Sequence, residues 1–291
     1  MRNKLISTLA GTALSFAVSG FAFAADMAVK APPRAPPPAY SWTGFYAGGN
    51  AGYGWSADPS FAFAPDNIAG GFLLNGFCCG EGINVHSGSF NTSGFIGGGQ
   101  LGYNLQFQKF WLAGIEADIN YSNVRGSGSF PATLVLPSAP SQPALVAAGE
   151  RLDWFGTVRA RLGLLPTERL LVFGTAGLAY GETKPNASIT TLGAGVGQGP
   201  NPDGSSISCV TGACVAGANS RTSAGWTAGG GLEYAIWSNV TIKAEYLYVN
   251  LGGQTIHLIT VPPASGNGSI SASFSDAAIN MVRFGINYKF N

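Results

Sequence analysis

Hydrophobic and polar positions alternate along the C-terminal segment, residues 280–291. One face is apolar and contains Val282, Phe284, Ile286, Tyr288 and Phe290. The other face is mostly polar and contains Met281, Arg283, Gly285, Asn287 and Lys289. Because successive side chains of a β-strand point to opposite sides, this pattern predicts a strand with one apolar and one polar face. A half-buried strand of a soluble protein has the same pattern, so this segment alone does not distinguish a soluble protein from a membrane β-barrel.

The same alternation recurs upstream, and the connections between the alternating segments differ in length. Strands are predicted at 43–56, 92–107, 110–123, 151–165, 169–183, 222–236, 239–251 and 276–290. Each is close to the length that a tilted strand needs to cross a bilayer. Short turns are predicted at 108–109, 166–169 and 237–239, and long Gly-, Pro-, Ser- and Asn-containing loops at 57–91, 124–150, 184–221 and 252–275.

This alternation of short and long connections is typical of bacterial outer-membrane barrels, whose short turns are periplasmic and whose long loops are extracellular. The fold class predicted is therefore all-β, a transmembrane antiparallel up-and-down β-barrel of about eight strands. The chain is too short for a general porin of about sixteen strands. Ten or twelve strands remain possible if a long loop contains a further hairpin.

The N-terminal region has two parts that precede the predicted barrel. Residues 1–24 have the basic start, the apolar stretch and the Ala22-Phe23-Ala24 site of a cleaved secretory signal peptide. Residues 25–42 form a proline-rich segment, predicted to be a semi-rigid periplasmic linker. Docking to a cell-wall partner is the alternative role for it. Residues 43–291 are predicted to form the barrel, in the outer membrane of a Gram-negative bacterium.

Composition agrees with this class. Charged residues make up 10% and aromatic residues 12% of the chain, and there are 43 glycines. A soluble globular protein has about 25% charged residues. No later window holds ~18 predominantly apolar residues, which argues against helical spans. Removal of Arg2 and Lys4 with the leader changes the net charge from +1 to −1, so no nucleic-acid partner is expected.

The six tryptophans fall at the ends of predicted strands. Trp42, Trp111 and Trp237 are at the periplasmic ends, and Trp55, Trp154 and Trp226 are at the extracellular ends. Tryptophan prefers the membrane–water boundary. The positions predict two aromatic belts.

Charged residues of both signs fall on the inward faces of the predicted strands. They are Glu116, Asp118, Arg159, Arg161, Glu233, Lys243, Glu245, Arg283 and Lys289. Folding the third strand on the fourth places Glu116 opposite Arg159, and folding the sixth on the seventh places Glu233 opposite Lys243. Because an unpaired buried charge is costly, these groups are expected to pair across strands and fill the lumen.

Four cysteines lie in the long loops. In an exported protein cysteines are usually paired, and Cys209–Cys214 is the preferred bridge. A link from Cys78 or Cys79 to the third loop is a serious alternative, and metal binding is a more distant one. Four cysteines allow three pairings.

Catalytic and cofactor motifs are weak. Gly97–Gly102 matches G-x-G-x-x-G but continues as a strand, so no dinucleotide site is expected. His86 and His257 lack metal-ligand spacing, and no metal, haem or other cofactor is predicted.

A barrel enzyme would need one of these histidines to act with Ser87, Ser89 or Asp276. No nucleophile–base–orienter set is evident, so no enzymatic activity is expected.

Several segments resemble a known family. Asp26–Lys30 before the prolines, Ser41–Trp55, Trp154–Gly163 and Val282–Phe290 are similar to the alphaproteobacterial small outer-membrane β-barrel porins, which include RopB-like major outer-membrane proteins. The resemblance implies an eight-stranded barrel with roles in envelope integrity and host contact, and the family name implies a pore. It also implies an assembly signal read by the outer-membrane assembly machinery, formed here by Phe284, Gly285, Ile286, Tyr288 and Phe290. Members usually end at the aromatic residue, whereas Asn291 follows it here.

The expected function is a structural and surface-interaction role through long external loops. A narrow passive porin for small solutes is the alternative, and a barrel enzyme acting on lipid or peptide is third. Expected partners are outer-membrane lipid and lipopolysaccharide, the assembly machinery, and cell-wall or host contacts.

Overall fold

A computed structural model describes residues 40–56, 59–76, 82–135, 140–193 and 196–290. The signal peptide, residues 25–39 of the linker, Cys78, Cys79 and Asn291 lie outside these ranges. The first half of the described chain contains β1 (Gly44–Ser56), β2 (Ser60–Pro65), α1 (Ile68–Asn75), β3 (Gly82–Ile83), β4 (Ser87–Ser89), β5 (Ser93–Phe107), β6 (Trp111–Val135), β7 (Gln142–Thr167) and β8 (Leu170–Thr183). The second half contains β9 (Asn186–Thr191), β10 (Val196–Gln198), β11 (Ile207–Cys209), β12 (Gly212–Ala218), β13 (Arg221–Ala235), β14 (Val240–Asn250), β15 (Gln254–Thr260), β16 (Ser265–Gly266), β17 (Ser269–Phe274) and β18 (Ala278–Lys289).

Eight strands close into an antiparallel ring, in the order β6-β5-β1-β18-β14-β13-β8-β7 and back to β6. They are the eight strands that the alternating pattern predicts, and the barrel fold is confirmed. The strand count is larger than eight because the long connections contain strands of their own. We call the end with the short connections after β5, β7 and β13 the turn end, and the opposite end the loop end.

The outer surface of this ring is apolar and its interior is polar. On β1, Phe45, Tyr53 and Trp55 are exposed, whereas Tyr46 and Asn50 are buried. This is the assignment that the period-two pattern predicts for the first strand. Among the described residues, none of the helical structure is both long enough and apolar enough to traverse a membrane.

The β6–β7 hairpin continues well beyond the other strands of the ring, and the polarity of its two faces inverts on the way. Near the middle of β6, Ile119 and Tyr121 face outward and are exposed. Beyond a register shift between Tyr121 and Val124, Arg125 faces outward and Leu134 is buried. The inversion marks where an apolar surrounding gives way to water.

A second ring of strands, which we call the cap, stands on the loop end. β6 and β7 continue through β9, β12, β15, β17 and β2, and the segment Gly82–Ser89 closes the ring by pairing β4 with β2 and β3 with β6. The cap encloses an apolar core that contains Phe61, Leu73, Leu74, Ile83, Leu134, Val146, Ile189, Val215, Ile256, Leu258, Ile270 and Phe274. The prediction of irregular exposed loops at 57–91, 124–150, 184–221 and 252–275 is therefore wrong, because these segments bury apolar side chains against one another.

Helix α1 packs into the cap on its buried residues Ala69, Leu73 and Leu74. It begins after Asn67, whose side chain accepts a hydrogen bond from the Gly70 amide, as an N-cap residue does. It ends at Gly76, whose φ of 66° favours glycine.

Candidate functional site: the filled lumen

The middle of the barrel holds a charge network made of four carboxylates and four cations. The carboxylates are Glu116, Asp118, Glu233 and Glu245, and the cations are Arg159, Arg161, Lys243 and Arg283. All eight are buried. Their formal charges cancel, so the lumen has no net charge of either sign at this level.

Arg159 is the centre of the network. Its guanidinium forms an ion pair with Glu116, donates to Asp118 Oδ2 at 2.8 Å and donates to Glu245 Oε2 at 3.1 Å. Arg283 binds Asp118 and Glu245 as well. Its Nη2 lies 2.8 Å from Asp118 Oδ2, and its Nε lies 2.6 Å from Glu245 Oε1. Charge-assisted hydrogen bonds of this kind are about twice as strong as neutral ones. The two arginines hold β6, β7, β14 and β18 together from inside.

Glu116 is bound from both sides of the barrel. Lys243 Nζ lies 2.9 Å from its Oε1, and the Tyr46 hydroxyl donates to its Oε2 at 2.7 Å. Arg161 donates to the Tyr46 oxygen at 2.6 Å and to Glu233 Oε2 at 2.6 Å.

The predicted strand registers of β6 with β7 and of β13 with β14 are confirmed, but one of the expected ion pairs is wrong. Glu116 is opposite Arg159, and Glu233 is opposite Lys243. Glu233 nevertheless pairs with Arg161, because the Lys243 side chain reaches across the lumen to Glu116.

Inward-facing glycines make room for these long side chains. A Cβ at Gly102 would overlap the Tyr46 hydroxyl, and one at Gly52 would come within 2.6 Å of the Arg283 Cβ. Gly97–Gly102 lies in the middle of β5 and is followed by further strand, so it lacks the strand–turn–helix context of a dinucleotide site. Of its glycines, Gly98 and Gly102 face the lumen and leave room there for Asn120 and Tyr46.

An apolar layer closes the lumen at the turn end. Trp42 is only 2% exposed and packs with Leu112, Leu171 and Phe173. Its indole N–H donates to the Glu168 carbonyl at 3.0 Å. The prediction that Trp42 belongs to a lipid-facing belt is therefore wrong: the chain before β1 folds across the opening and places this side chain inside.

A second apolar layer lies between the charge network and the cap. It contains Ile96, Val124, Leu152, Phe155, Leu247, Val249, Leu251, Ile279 and Met281. Met281 is two residues along β18 from Arg283, so this layer begins directly above the charges. The network is thus enclosed by apolar side chains at both ends.

One further acid, Glu150, is half-buried in the neck between this layer and the cap. Glu150 lines a small cavity of about 10 Å³, together with Thr92, Thr183 and Asp276. Burial raises the pKa of the Glu150 carboxyl to about 7. Sequence reasoning missed it because it lies outside the predicted strands.

The remaining tryptophans lie on the outer surface near the two ends of the barrel. Trp55, Trp111, Trp226 and Trp237 are exposed, and Trp154 is partly exposed beside Tyr180.

The residues proposed as an assembly signal lie at the end of the last strand. Phe284, Ile286, Tyr288 and Phe290 face outward, and Gly285 faces the lumen beside Gln100. The Phe290 amide donates to the Phe45 carbonyl at 2.9 Å, which continues the pairing with β1.

The histidines do not join the residues proposed for catalysis. His86 Nε2 is 2.8 Å from the Leu74 carbonyl oxygen, and His257 Nδ1 is 2.9 Å from Asp66 Oδ2. Within the described ranges, no group of three or more His, Cys, Asp or Glu residues could hold a metal ion.

Cys209 and Cys214 form a disulfide in the apolar core of the cap, with their Cα atoms 5.0 Å apart. This is the preferred pairing of the sequence analysis. The pairing of Cys78 and Cys79 falls outside the described residues.

The chain is similar in sequence to several outer-membrane proteins. The chain is 38% identical over 291 residues to the 31 kDa outer-membrane immunogenic protein of Brucella melitensis, covering 97% of this chain and 98% of that protein. It is 27% identical to the 22 kDa outer membrane protein of Rhizobium leguminosarum bv. viciae, covering 87% of this chain and 80% of that protein. Among solved structures, OprG from Pseudomonas aeruginosa aligns with a TM-score of 0.40 at 12% identity, covering 86% of this chain and 99% of OprG. Residues 14–290 match the family described as outer membrane protein beta-barrel domain, and the chain therefore belongs to that family of outer-membrane proteins.

Proposed function

We propose that the protein is a closed structural barrel of the outer membrane that supports a folded cap for contacts at the cell surface. The observation that carries this proposal is the lumen, in which four carboxylates and four cations neutralise one another between two apolar layers. An eight-stranded barrel has an interior that side chains can fill. A pore selective for ions commonly carries an excess of one charge, whereas the four acids and four cations of this network balance.

The cap supports the second half of the proposal. Its core is apolar and continuous across β2, β6, β7, β9, β12, β15 and β17, which is the construction of a folded domain. A folded surface offers a partner a preorganised epitope, which lowers the ordering cost of binding. The role proposed is therefore non-enzymatic binding at the surface, together with mechanical support of the envelope.

Planar-bilayer recording separates this role from the alternative, a narrow passive porin. Purified, refolded wild-type protein should show no large, steady conductance. The double variant Glu116→Ala/Glu233→Ala should conduct more, because Arg159, Arg161 and Lys243 then lose partners and water can enter. Glu168→Ala, in the turn after β7, is the matched control and should remain closed. A steady, porin-sized current from the wild type would overturn the closed-barrel proposal.

Complementation in the source bacterium tests the envelope and surface roles separately. Cells lacking the protein should become more sensitive to detergent, and the wild-type gene should restore resistance. A variant that disrupts the cap core, such as Leu258→Asp, should restore detergent resistance if the barrel alone supports the envelope. The same variant should fail to restore attachment to host cells or to other surfaces. Unchanged attachment with the disrupted cap would contradict the surface role.

A further inference from the structure

The basic residues beyond the aromatic zone at the loop end are confined to one side of the barrel. Among the described residues, the lysines and arginines at this end are Arg125, Arg151, Lys184 and Arg221. They belong to β6, β7, the residue after β8, and β13, which are adjacent in the ring. On the opposite strands, the described part of the chain at this level has no lysine or arginine.

The cations in this basic cluster outnumber their carboxylate partners. Arg125 is directly opposite Arg151 in the β6–β7 ladder, and it forms no ion pair with any described residue. Like charges directly opposite each other in a sheet are destabilising. Asp153 accepts from Arg151 Nε at 3.0 Å and from Lys184 Nζ at 2.7 Å, and Glu182 is 3.4 Å from Lys184. Asp153 and Glu182 therefore pair with two of the four cations, Arg151 and Lys184.

The basic cluster lies at the level of the lipid headgroups of the outer leaflet. Tyr121 and Trp154 are register partners on the outer surface, and Trp154 packs edge-on against Tyr180 with ring centroids 6.1 Å apart. Arg125 and Lys184 each lie four residues further toward the loop end than a member of this aromatic group. Aromatic belts mark the membrane–water boundary, so the cations lie at headgroup level.

A cleft is present at the same place. It has a volume of about 620 Å³ and is lined by residues that include Arg151, Lys184, Asn186, Asn219 and Ser220. It opens between the β8–β9 connection and the β12–β13 connection. Its lining combines cations with amide and hydroxyl groups, which suit a phosphorylated sugar.

We propose that the basic cluster binds the phosphate groups of lipid A, the phosphorylated glycolipid anchor of lipopolysaccharide, in the outer leaflet. A phosphate between Arg125 and Arg151 would neutralise the like-charge pair, and arginine binds phosphate oxygens in a bidentate manner. Basic groups near a membrane surface attract anionic lipid. This binding goes beyond the proposed function, since it uses neither the closed lumen nor the cap core.

The test uses the full mature chain, refolded in zwitterionic detergent, and measures binding of bisphosphorylated lipid A by native mass spectrometry. Each of Arg125→Gln, Arg151→Gln and Lys184→Gln should weaken binding about fivefold, as expected for one basic group near an anionic surface. Arg125→Gln is the most informative single variant, because this exposed side chain has no ion-pair partner among the described residues whose loss would disturb folding. Arg169→Gln, at the turn end, is the matched control and should bind like the wild type.

Three outcomes would overturn the proposal. They are equal binding by the triple variant, equal binding of lipid A from which the phosphates have been removed, and equal loss of binding in Arg169→Gln. A competition experiment with inorganic phosphate completes the test. If millimolar phosphate displaced lipid A completely, the cluster would be a site for free phosphate, and the lipid proposal would be contradicted. Weak displacement, with binding that falls as salt increases, is the expected result.

Discussion

Lys243 Nζ and Glu116 Oε1, which lie 2.9 Å apart, come from strands on opposite sides of the ring. β14 and β6 are separated by three strands in either direction, so this contact spans the lumen. A side chain that crosses the interior ties together strands that share no backbone hydrogen bonds.

Breaking this contact from one side should destabilise the barrel strongly. Glu116→Gln leaves buried cations without their carboxylate and should lower the free energy of unfolding by about 3–5 kcal/mol. Lys243→Met alone should also be destabilising, and the double variant should lose less than the sum of the two single variants. Urea unfolding of protein in lipid vesicles measures all three. Strict additivity would show that the two residues are not coupled, and Glu168→Gln should leave stability unchanged.

The half-buried acid in the neck, Glu150, predicts a pH-dependent stability. Burial raises the pKa of Glu150 from 4.5 to about 7, so the folded protein keeps a proton that the unfolded chain loses. Stability should be complete below about pH 4.5 and fall by about 3 kcal/mol as the pH rises to about 7. The other charged residues that line the cavity around Glu150 are Arg151 and Asp276.

Unfolding titrations between pH 4 and pH 8 check this prediction. Glu150→Gln should remove the decline, because glutamine stays neutral throughout. Asp203→Asn, at an exposed position of the cap, is the control and should keep it. A wild type whose stability is flat over this range would contradict the raised pKa.

Loss of the disulfide should affect the cap and spare the barrel. Cys209 and Cys214 are fully buried in the cap core, whereas the barrel is held by ladder hydrogen bonds and the lumen network. Cys209→Ser/Cys214→Ser should destabilise the cap by about 2 kcal/mol and expose the chain near Thr211 to protease. Without reductant, neither thiol of the wild type should react with an alkylating reagent; free alkylation would disprove the bridge.

Accessibility on intact cells checks the topology. An epitope tag inserted at Gly204, an exposed position with open space around its Cα, should be labelled from outside. A tag at residues 166–169, in the turn after β7, should be labelled only after the outer membrane is opened. Labelling of the second tag on intact cells would reverse the orientation.

The barrel could be predicted from sequence because its strands repeat one rule. Apolar residues face outward at every second position, and the short turns fix which strands are neighbours. The register of Glu116 with Arg159 followed from these two facts alone. The Lys243–Glu116 contact did not, because it depends on which strands the closed ring places opposite each other.

The cap and Trp42 were missed for other physical reasons. Several cap strands are short, and they pair with segments that are distant in sequence. In the extension of β6, the inward-facing Gly126 and Gly128 also interrupt the apolar face. Trp42 precedes β1 and has no alternating neighbours. The sequence therefore could not distinguish a side chain that faces lipid from one that folds back into the opening.

The way the cap is assembled from the chain has a consequence for recognition by antibodies. Its neighbouring strands come from all four long connections, and Ser60 bonds to the Ser275 side chain although 215 residues separate them. The cap therefore requires all four connections to be brought together, as they are at the loop end of the closed ring. Its surface is therefore a discontinuous epitope, and antibodies raised against the folded protein should recognise it without recognising a linear peptide from any single connection.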